Sequence, residues 1–346
     1  MLETILNTYG LTKTPKPFGS GLINHTWIVD SGVKKFILQR INHNIFKSPP
    51  DIASNIRAIG EYLSSHYPDY LFVTPERTLH KKDIVYLPEE GYFRLFPFVN
   101  GSHTIDVVSN PSQAYEAAKQ FGRFTKLLAG FPADEIKITL PDFHNLPLRY
   151  RQFQTAILKG NKERIKEAAS MIGFLQKHCE IVTISEGIPA NECFKKRITH
   201  HDTKISNVLF DNNDKGLCVI DLDTVMPGYF ISDVGDMMRT YLSPVSEEEK
   251  DFSRIEIREA YFIAIAEGYL SEMNEELTTT ETKHFVYAGK FMIYMQALRF
   301  LTDYLNNDVY YGSKYEGQNF VRAGNQSVLL NLLIEKEKTL SSLINL

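Results

Sequence analysis

The chain has little cysteine. Three residues in 346, Cys179, Cys193 and Cys218, form no C-x-x-C pair. An odd count without paired spacing argues against a disulfide scaffold or a structural zinc site and suits a reducing compartment. No apolar run reaches the roughly 18 residues of a membrane span. The opening MLETILNTYG lacks the basic start and apolar centre of a secretion signal. Basic excess is also missing. A net charge of −4 and a pI near 6.2 argue against nucleic acid as the main partner, since phosphate backbones want a positive balance. No low-complexity tract or internal repeat is visible. The expectation is a cytoplasmic protein with neither a membrane nor a nucleic-acid partner.

There is ample material for a core, with 43% of residues hydrophobic, and the length suits two packed lobes. The first hundred residues alternate in the manner of strands. Thr26–Val29 and Phe36–Ile41 read as a hairpin around Asp30-Ser31-Gly32, and Ile84–Leu87 with Tyr92–Phe96 as a second, turning at Pro88–Gly91. Between them, Ile52, Ile56, Ile59 and Leu63 mark a helix over Asp51–Ser64. Beyond Gly101 the pattern is helical over Pro111–Gly130, Glu163–Glu180, Ser246–Met273, Glu281–Asn306 and Asn325–Ile344. The Pro, Asn and Gly of PFVNGS put the join near Pro97–Ser102. This predicts an α+β fold with lobes 1–99 and 100–346.

One stretch of the helical half reads as strand. Asn207–Phe210 and Leu217–Asp221 flank DNNDKG, a turn composition. Pairing about Asp214 sets Asn207 opposite Asp221 at the open end, with Asp202 in the loop just before. Two carboxylates and an amide thus converge. Such oxygens suit Mg²⁺, which takes one or two carboxylates and shares its shell with water and phosphates. Asp-x4-Asn followed by a strand-borne Asp is the order of base and two metal-holding residues in kinase phosphoryl transfer. The plain alternative is a polar turn. His200 and His201 are adjacent and would point apart on extended backbone, which makes zinc a poor reading.

H-x-D-x4-N followed by I-D resembles the Brenner motif and metal-binding Asp of the aminoglycoside phosphotransferase and choline kinase superfamily. The strings THHDTKISNVLF, CVIDLDTVMPG, SDVGDMMR, FILQRIN, PDFHNLP and RFLTDYLNNDVYY look like those of its N-acetylhexosamine 1-kinase branch. The resemblance runs from about residue 18 to 330 of the chain. It implies a two-lobed protein-kinase-like fold, with a small antiparallel sheet in the N-terminal lobe and a mostly helical C-terminal lobe. It implies ATP and Mg²⁺ as cofactors and N-acetylglucosamine or N-acetylgalactosamine as the small-molecule partner. Asp202 would be the base, Lys204 would lie near the transferring phosphate, and Asn207 and Asp221 would hold the metal. Asp223 would sit behind the metal or face the sugar. Arg299 and Tyr310 would touch the sugar.

The nucleotide end is less regular. FGSGLIN offers Gly19, Ser20 and Gly21 as a reduced phosphate loop. It is not a Walker A motif, since no G-K-[ST] follows. The next strand, FILQRI, carries Gln39 where many relatives have a cation, and Arg40 follows. Adjacent strand residues face opposite ways, so one of the two would meet the nucleotide. Glu61 is the nearest helix partner for such a cation. Tyr92–Val99 would link the lobes. Arg299 has a bland alternative, an ion pair with Asp303 one turn on. Ile45 and Phe46 are candidates for an acetamido pocket or plain core, and His144 has no evident chemistry. The rivals to the sugar reading are another hydroxyl acceptor and an inactive nucleotide-binding fold.

Overall fold

A computed structural model describes residues 2–19 and 23–344. The chain opens with helix α1 (Leu2–Asn7) and strands β1 (Lys16–Pro17), β2 (His25–Asp30) and β3 (Lys35–Ile41). Helix α2 (Pro49–His66) follows, then β4 (Val85–Leu87) and β5 (Gly91–Pro97). These strands form one antiparallel sheet of order β1-β2-β3-β5-β4. Both expected hairpins and the helix between them are present. Helix α1 and strand β1 were not legible, being short and without periodicity.

The period-two alternation gives the sheet two unlike faces. On one, Leu38 lies opposite Trp27 and Leu95, and packs with Val29 and Phe93 under Ile5 and Leu6 of α1. On the other, Ile37, Gln39 and Ile41 of β3 lie opposite Phe96, Arg94 and Tyr92 of β5. That second face looks toward the helical lobe. The stripe of α2, Ile52, Ile56, Ile59 and Leu63, joins the large helical core rather than the small core beneath the sheet.

The second lobe contains α3 (Pro111–Leu127), α4 (Leu146–Lys159), α5 (Lys162–Glu167), α6 (Ala169–Lys177) and α7 (Glu180–Gly187). Four short strands follow: β6 (Arg197–Thr199), β7 (Val208–Phe210), β8 (Gly216–Val219) and β9 (Met226–Gly228). The chain closes with α8 (Phe230–Tyr241), α9 (Glu259–Met273), α10 (Thr279–Lys283), α11 (Phe285–Leu305) and α12 (Gln318–Leu343). Asn110 caps α3 by accepting the Gln113 N–H. Helix α11 is buried on nearly every side, as its apolar run demands. It packs on α4, α8 and α12. No helix among the described residues is long and apolar enough to cross a membrane.

Four helix expectations need correction. The span Glu163–Glu180 is broken at Ala168, which is buried with ψ near 4°. A periodic stripe does not reveal where a core bends the chain. The span Ser246–Met273 is helical only from Glu259. Before it, Ser246, Glu249 and Asp251 side chains each accept the backbone N–H two residues on, a local alternative to helix. Glu281–Asn306 is two helices that part at His284, the first started by a Thr278/Glu281 capping box. The last helix begins at Gln318, not Asn325, because its first turns bury polar Gln318 and Asn319, which hid the stripe.

Candidate functional site

The stretch between β6 and β7 is held from below by α8. Asp233 accepts the backbone N–H groups of His200 at 3.0 Å and His201 at 2.7 Å. Asp236 accepts the Thr203 N–H at 2.9 Å, and Tyr241 donates to the Thr203 carbonyl at 2.6 Å. Backbone donors in an irregular loop need such partners once buried. Burial pushes the Asp233 carboxyl up to about 7, against the pull of its two backbone donors. His201 takes a left-handed φ of 67°, so the two histidines part on a turned rather than extended backbone. His200 bonds the Ile220 carbonyl at 2.8 Å, and His201 meets Thr199 Oγ1 at 2.9 Å. Burial pushes the His201 ring down to about 4, so it is neutral. Strand β9 closes against β6 through Gly228, where a Cβ would lie 2.4 Å from the His201 ring and 2.6 Å from Thr199 Oγ1.

This clamp presents Asp202 and Lys204. Lys204 Nζ lies 3.2 Å from Asp202 Oδ1. Burial raises the Asp202 carboxyl, but Lys204, His200 and Arg239 together hold it below its ordinary value. Asn207 Nδ2 donates to Asp202 Oδ2 at 3.0 Å and to its carbonyl at 2.8 Å. The amide oxygen of Asn207 has no hydrogen-bond partner among the described residues. The hairpin forms one step out of the expected register. Val208 pairs with Val219, so Asn207 lies opposite Ile220, whose N–H it accepts at 2.8 Å, and not opposite Asp221. The turn centres on Asn213 rather than Asp214, with Phe210 opposite Gly216, and an irregularity between Leu209 and Phe210 leaves the open end one step out. Asp221 follows with a left-handed φ of 60°, which turns it out of the strand. Its carboxylate has no hydrogen-bond partner among the described residues. Crowding, then the carboxylates of Asp223 and Asp202, raise it to about 7. The Asp221 residue itself is exposed.

Asp223 turns the other way. It is buried, with Oδ1 2.5 Å from Arg94 Nη1 and Oδ2 accepting from Asn24 Nδ2 at 2.8 Å. Arg94 also donates through Nε and Nη2 to Gln39 Oε1, at 3.1 and 2.9 Å. Gln39 therefore faces the cleft. Arg40 lies on the opposite face and pairs with Glu90 at 3.5 Å near the surface. Glu61 points outward, 64% exposed, and pairs with Arg77. Gly19 has a φ of 77°, which suits a residue without Cβ. Ser20 and Gly21 lie outside the described residues.

A third group gathers beside the clamp. His144 Nδ1 is 3.3 Å from His201 Nδ1, and the residue is half-buried. Burial, the His201 ring and the guanidiniums of Arg299, Arg239 and Arg149 push it well down. The Arg299 guanidinium carbon is 5.9 Å from the Tyr310 ring centre, 5.4 Å from Tyr311 and 6.0 Å from Phe143. Arg299 does not pair with Asp303. That carboxylate instead accepts the backbone N–H groups of Tyr310 and Tyr311 at 2.7 and 2.9 Å and so shapes the loop bearing them. Tyr310 is 71% exposed. Phe46 is buried in the large core, and Ile45 is partly exposed.

Sequence reasoning missed Arg94, Arg149, Asp233 and Asp236. Arg94 had a signal, since alternation along YFRLF puts a charge in mid-strand between Tyr92 and Phe96. The two Asp had one in SDVGDMMR, where i,i+3 spacing puts both on one helix face.

The model of the phosphotransferase enzyme family matches residues 14–273, and the chain belongs to that family. Solved structures similar over nearly the whole length share its fold. An aminoglycoside phosphotransferase from Alicyclobacillus acidocaldarius is 12% identical with a TM-score of 0.64, over 97% of this chain and 95% of that one. An amicoumacin kinase bound to AMP-PNP and Ca²⁺ is 13% identical with a TM-score of 0.66, over 95% and 92%. A choline kinase from Cryptosporidium parvum is 14% identical with a TM-score of 0.54, over 96% and 92%.

Proposed function

We propose that this phosphotransferase uses ATP and Mg²⁺ to phosphorylate the anomeric hydroxyl of N-acetylglucosamine or N-acetylgalactosamine, giving a sugar 1-phosphate. The supporting observation is that Asp202, Lys204, Asn207 and Asp221 converge on backbone fixed by Asp233 and Asp236. Asp202 is held ionised, so it can accept the proton of the attacking hydroxyl. As that proton passes to Asp202, the hydroxyl oxygen bonds the γ-phosphorus. The bond from that phosphorus to the β,γ-bridging oxygen breaks, and ADP leaves. Lys204, half-exposed beside Asp202, would balance charge on the moving phosphoryl group.

The donor set suits a hard cation. The Asp221 carboxylate and the Asn207 amide oxygen lack partners among the described residues, and Asp221 carries the repulsion of two other carboxylates. These two residues would hold Mg²⁺, which when bound offsets charge on the phosphates. Residues 1–99 would supply the nucleotide side, and 100–346 the catalytic loop and acceptor pocket.

Other hydroxyl acceptors remain the second reading, because catalytic motifs do not select an acceptor. One observation ranks them. Arg149 and Arg299 face the same region, and neither pairs with a carboxylate among the described residues. Arg149 is pulled down by burial and by the charge of Arg299. Two such guanidiniums repel cationic choline or an aminoglycoside and favour an oxygen-rich neutral sugar. The test is acceptor-dependent ADP release with Mg·ATP over N-acetylglucosamine, N-acetylgalactosamine, their non-acetylated sugars, choline, homoserine and kanamycin. Release with the N-acetyl sugars alone is expected. Release with choline or kanamycin instead would sink the sugar assignment.

A further inference from the structure

Kinase chemistry wants a cation from the sheet on the nucleotide phosphates. The sheet's cleft face places neutral Gln39 at the middle of β3, and Arg40 is turned to the other face against Glu90. Directly across the ladder from Gln39 stands Arg94 of β5. Opposed residues of an antiparallel pair share one face, so both side chains enter the cleft together. Gln39 Oε1 accepts from both Nε and Nη2 of Arg94, which fixes the plane of the guanidinium. Arg94 Nη1 reaches Asp223 across the cleft. Of the five N–H groups a guanidinium carries, two are left without an acceptor among the described residues. A buried ion pair of this kind is weak evidence for stability, since desolvation offsets much of the attraction.

The geometry points to Arg94 as the sheet's phosphate-binding cation, moved one strand over from its usual place. Gln39 acts as its positioning residue and Asp223 as the anion that competes with a phosphate for it. The assignment rests on the phosphotransfer reading above. The guanidinium is almost wholly covered, so a phosphate must compete with Asp223 for it. Freed of Asp223, the planar guanidinium would suit two phosphate oxygens better than one. The Asn24 amide, which also holds Asp223, ties the end of the glycine loop to the same switch.

The test is calorimetric titration of the full chain with ADP and, separately, with adenosine, both without metal. Adenosine lacks the phosphates and reports the base pocket and the fold. Arg94→Met is expected to weaken ADP by about 10–100-fold, from loss of a charge-assisted fork, and to leave adenosine within about twofold. Asp223→Asn removes the competitor and should tighten ADP by several-fold, again without moving adenosine. Gln39→Ala should weaken ADP less than Arg94→Met. Arg94→Met strands Asp223, so the double variant Arg94→Met/Asp223→Asn guards against misfolding. In it, ADP should bind no better than in Arg94→Met. Equal loss of ADP and adenosine in the folded double variant would make the pair a structural latch and overturn the assignment. So would unchanged ADP affinity. A wild-type chain that binds neither ligand would bring down the phosphotransfer reading as well.

Discussion

The proposed catalytic loop and the proposed acceptor face lie side by side and are built in opposite ways. The loop is buried, with backbone N–H groups claimed by Asp233 and Asp236 and a closing strand packed against it through Gly228. The acceptor face is open. Tyr310 is largely exposed, and Arg299 rests among aromatic rings with no carboxylate partner among the described residues. The contrast teaches where fixed geometry is needed. Proton transfer and in-line attack tolerate little misplacement, so their groups stand on tethered backbone. On the proposed reading, acceptor choice is left to side chains on a loop, where change costs the fold little.

The largest effect should come from Asp202→Asn. Turnover is expected to fall by about 10²–10⁴-fold, with the thermal midpoint unchanged, as measured by ADP release and melting on one preparation. Wild-type turnover in a folded variant would remove Asp202 from the base role. Next is Glu281→Ala. This fully buried carboxylate holds both terminal nitrogens of Arg197 at the root of the loop. Breaking the pair should cost about 3–5 kcal/mol of stability in denaturant unfolding. A loss below about 1 kcal/mol would mean that the loop is not anchored there.

Asp233→Asn tests the clamp itself. Loss of one good backbone acceptor should cost about 1–3 kcal/mol and lower turnover with little change in acceptor KM. It also carries a pH signature. The folded carboxyl is raised to about 7, above its unfolded value, so the folded state binds the proton more tightly. The wild type therefore loses this contribution as pH rises from about 4 to about 7, and the variant does not. The variant's melting deficit should shrink over that window, and a constant deficit would refute the shift. The smallest effect is expected of Tyr310→Ala. Acceptor KM should rise by several-fold with stability unchanged, because the ring is exposed. A clear drop in melting temperature would show the acceptor face to be as fixed as the loop.

The hairpins, α2 and the gathering of Asp202, Asn207 and Asp221 follow from short-range patterns, and such patterns survive folding. The register of the β7–β8 hairpin did not, because the turn centres on Asn213 rather than Asp214 and an irregularity within β7 makes up only part of that shift. Arg94 was missed for a related reason. Its role depends on which strand lies beside β3, and sequence order does not make β5 its neighbour. The breaks at Ala168 and before Glu259 reflect core contacts and side-chain bonds that periodicity does not contain.

The apolar stripe of α2 belongs to the helical core although the helix precedes β4 and β5 in the chain. The sheet and the helical lobe are therefore not separable parts. A fragment beginning at residue 100 would leave the surface that receives Ile52, Ile56, Ile59 and Leu63 bare to water. It would aggregate rather than fold.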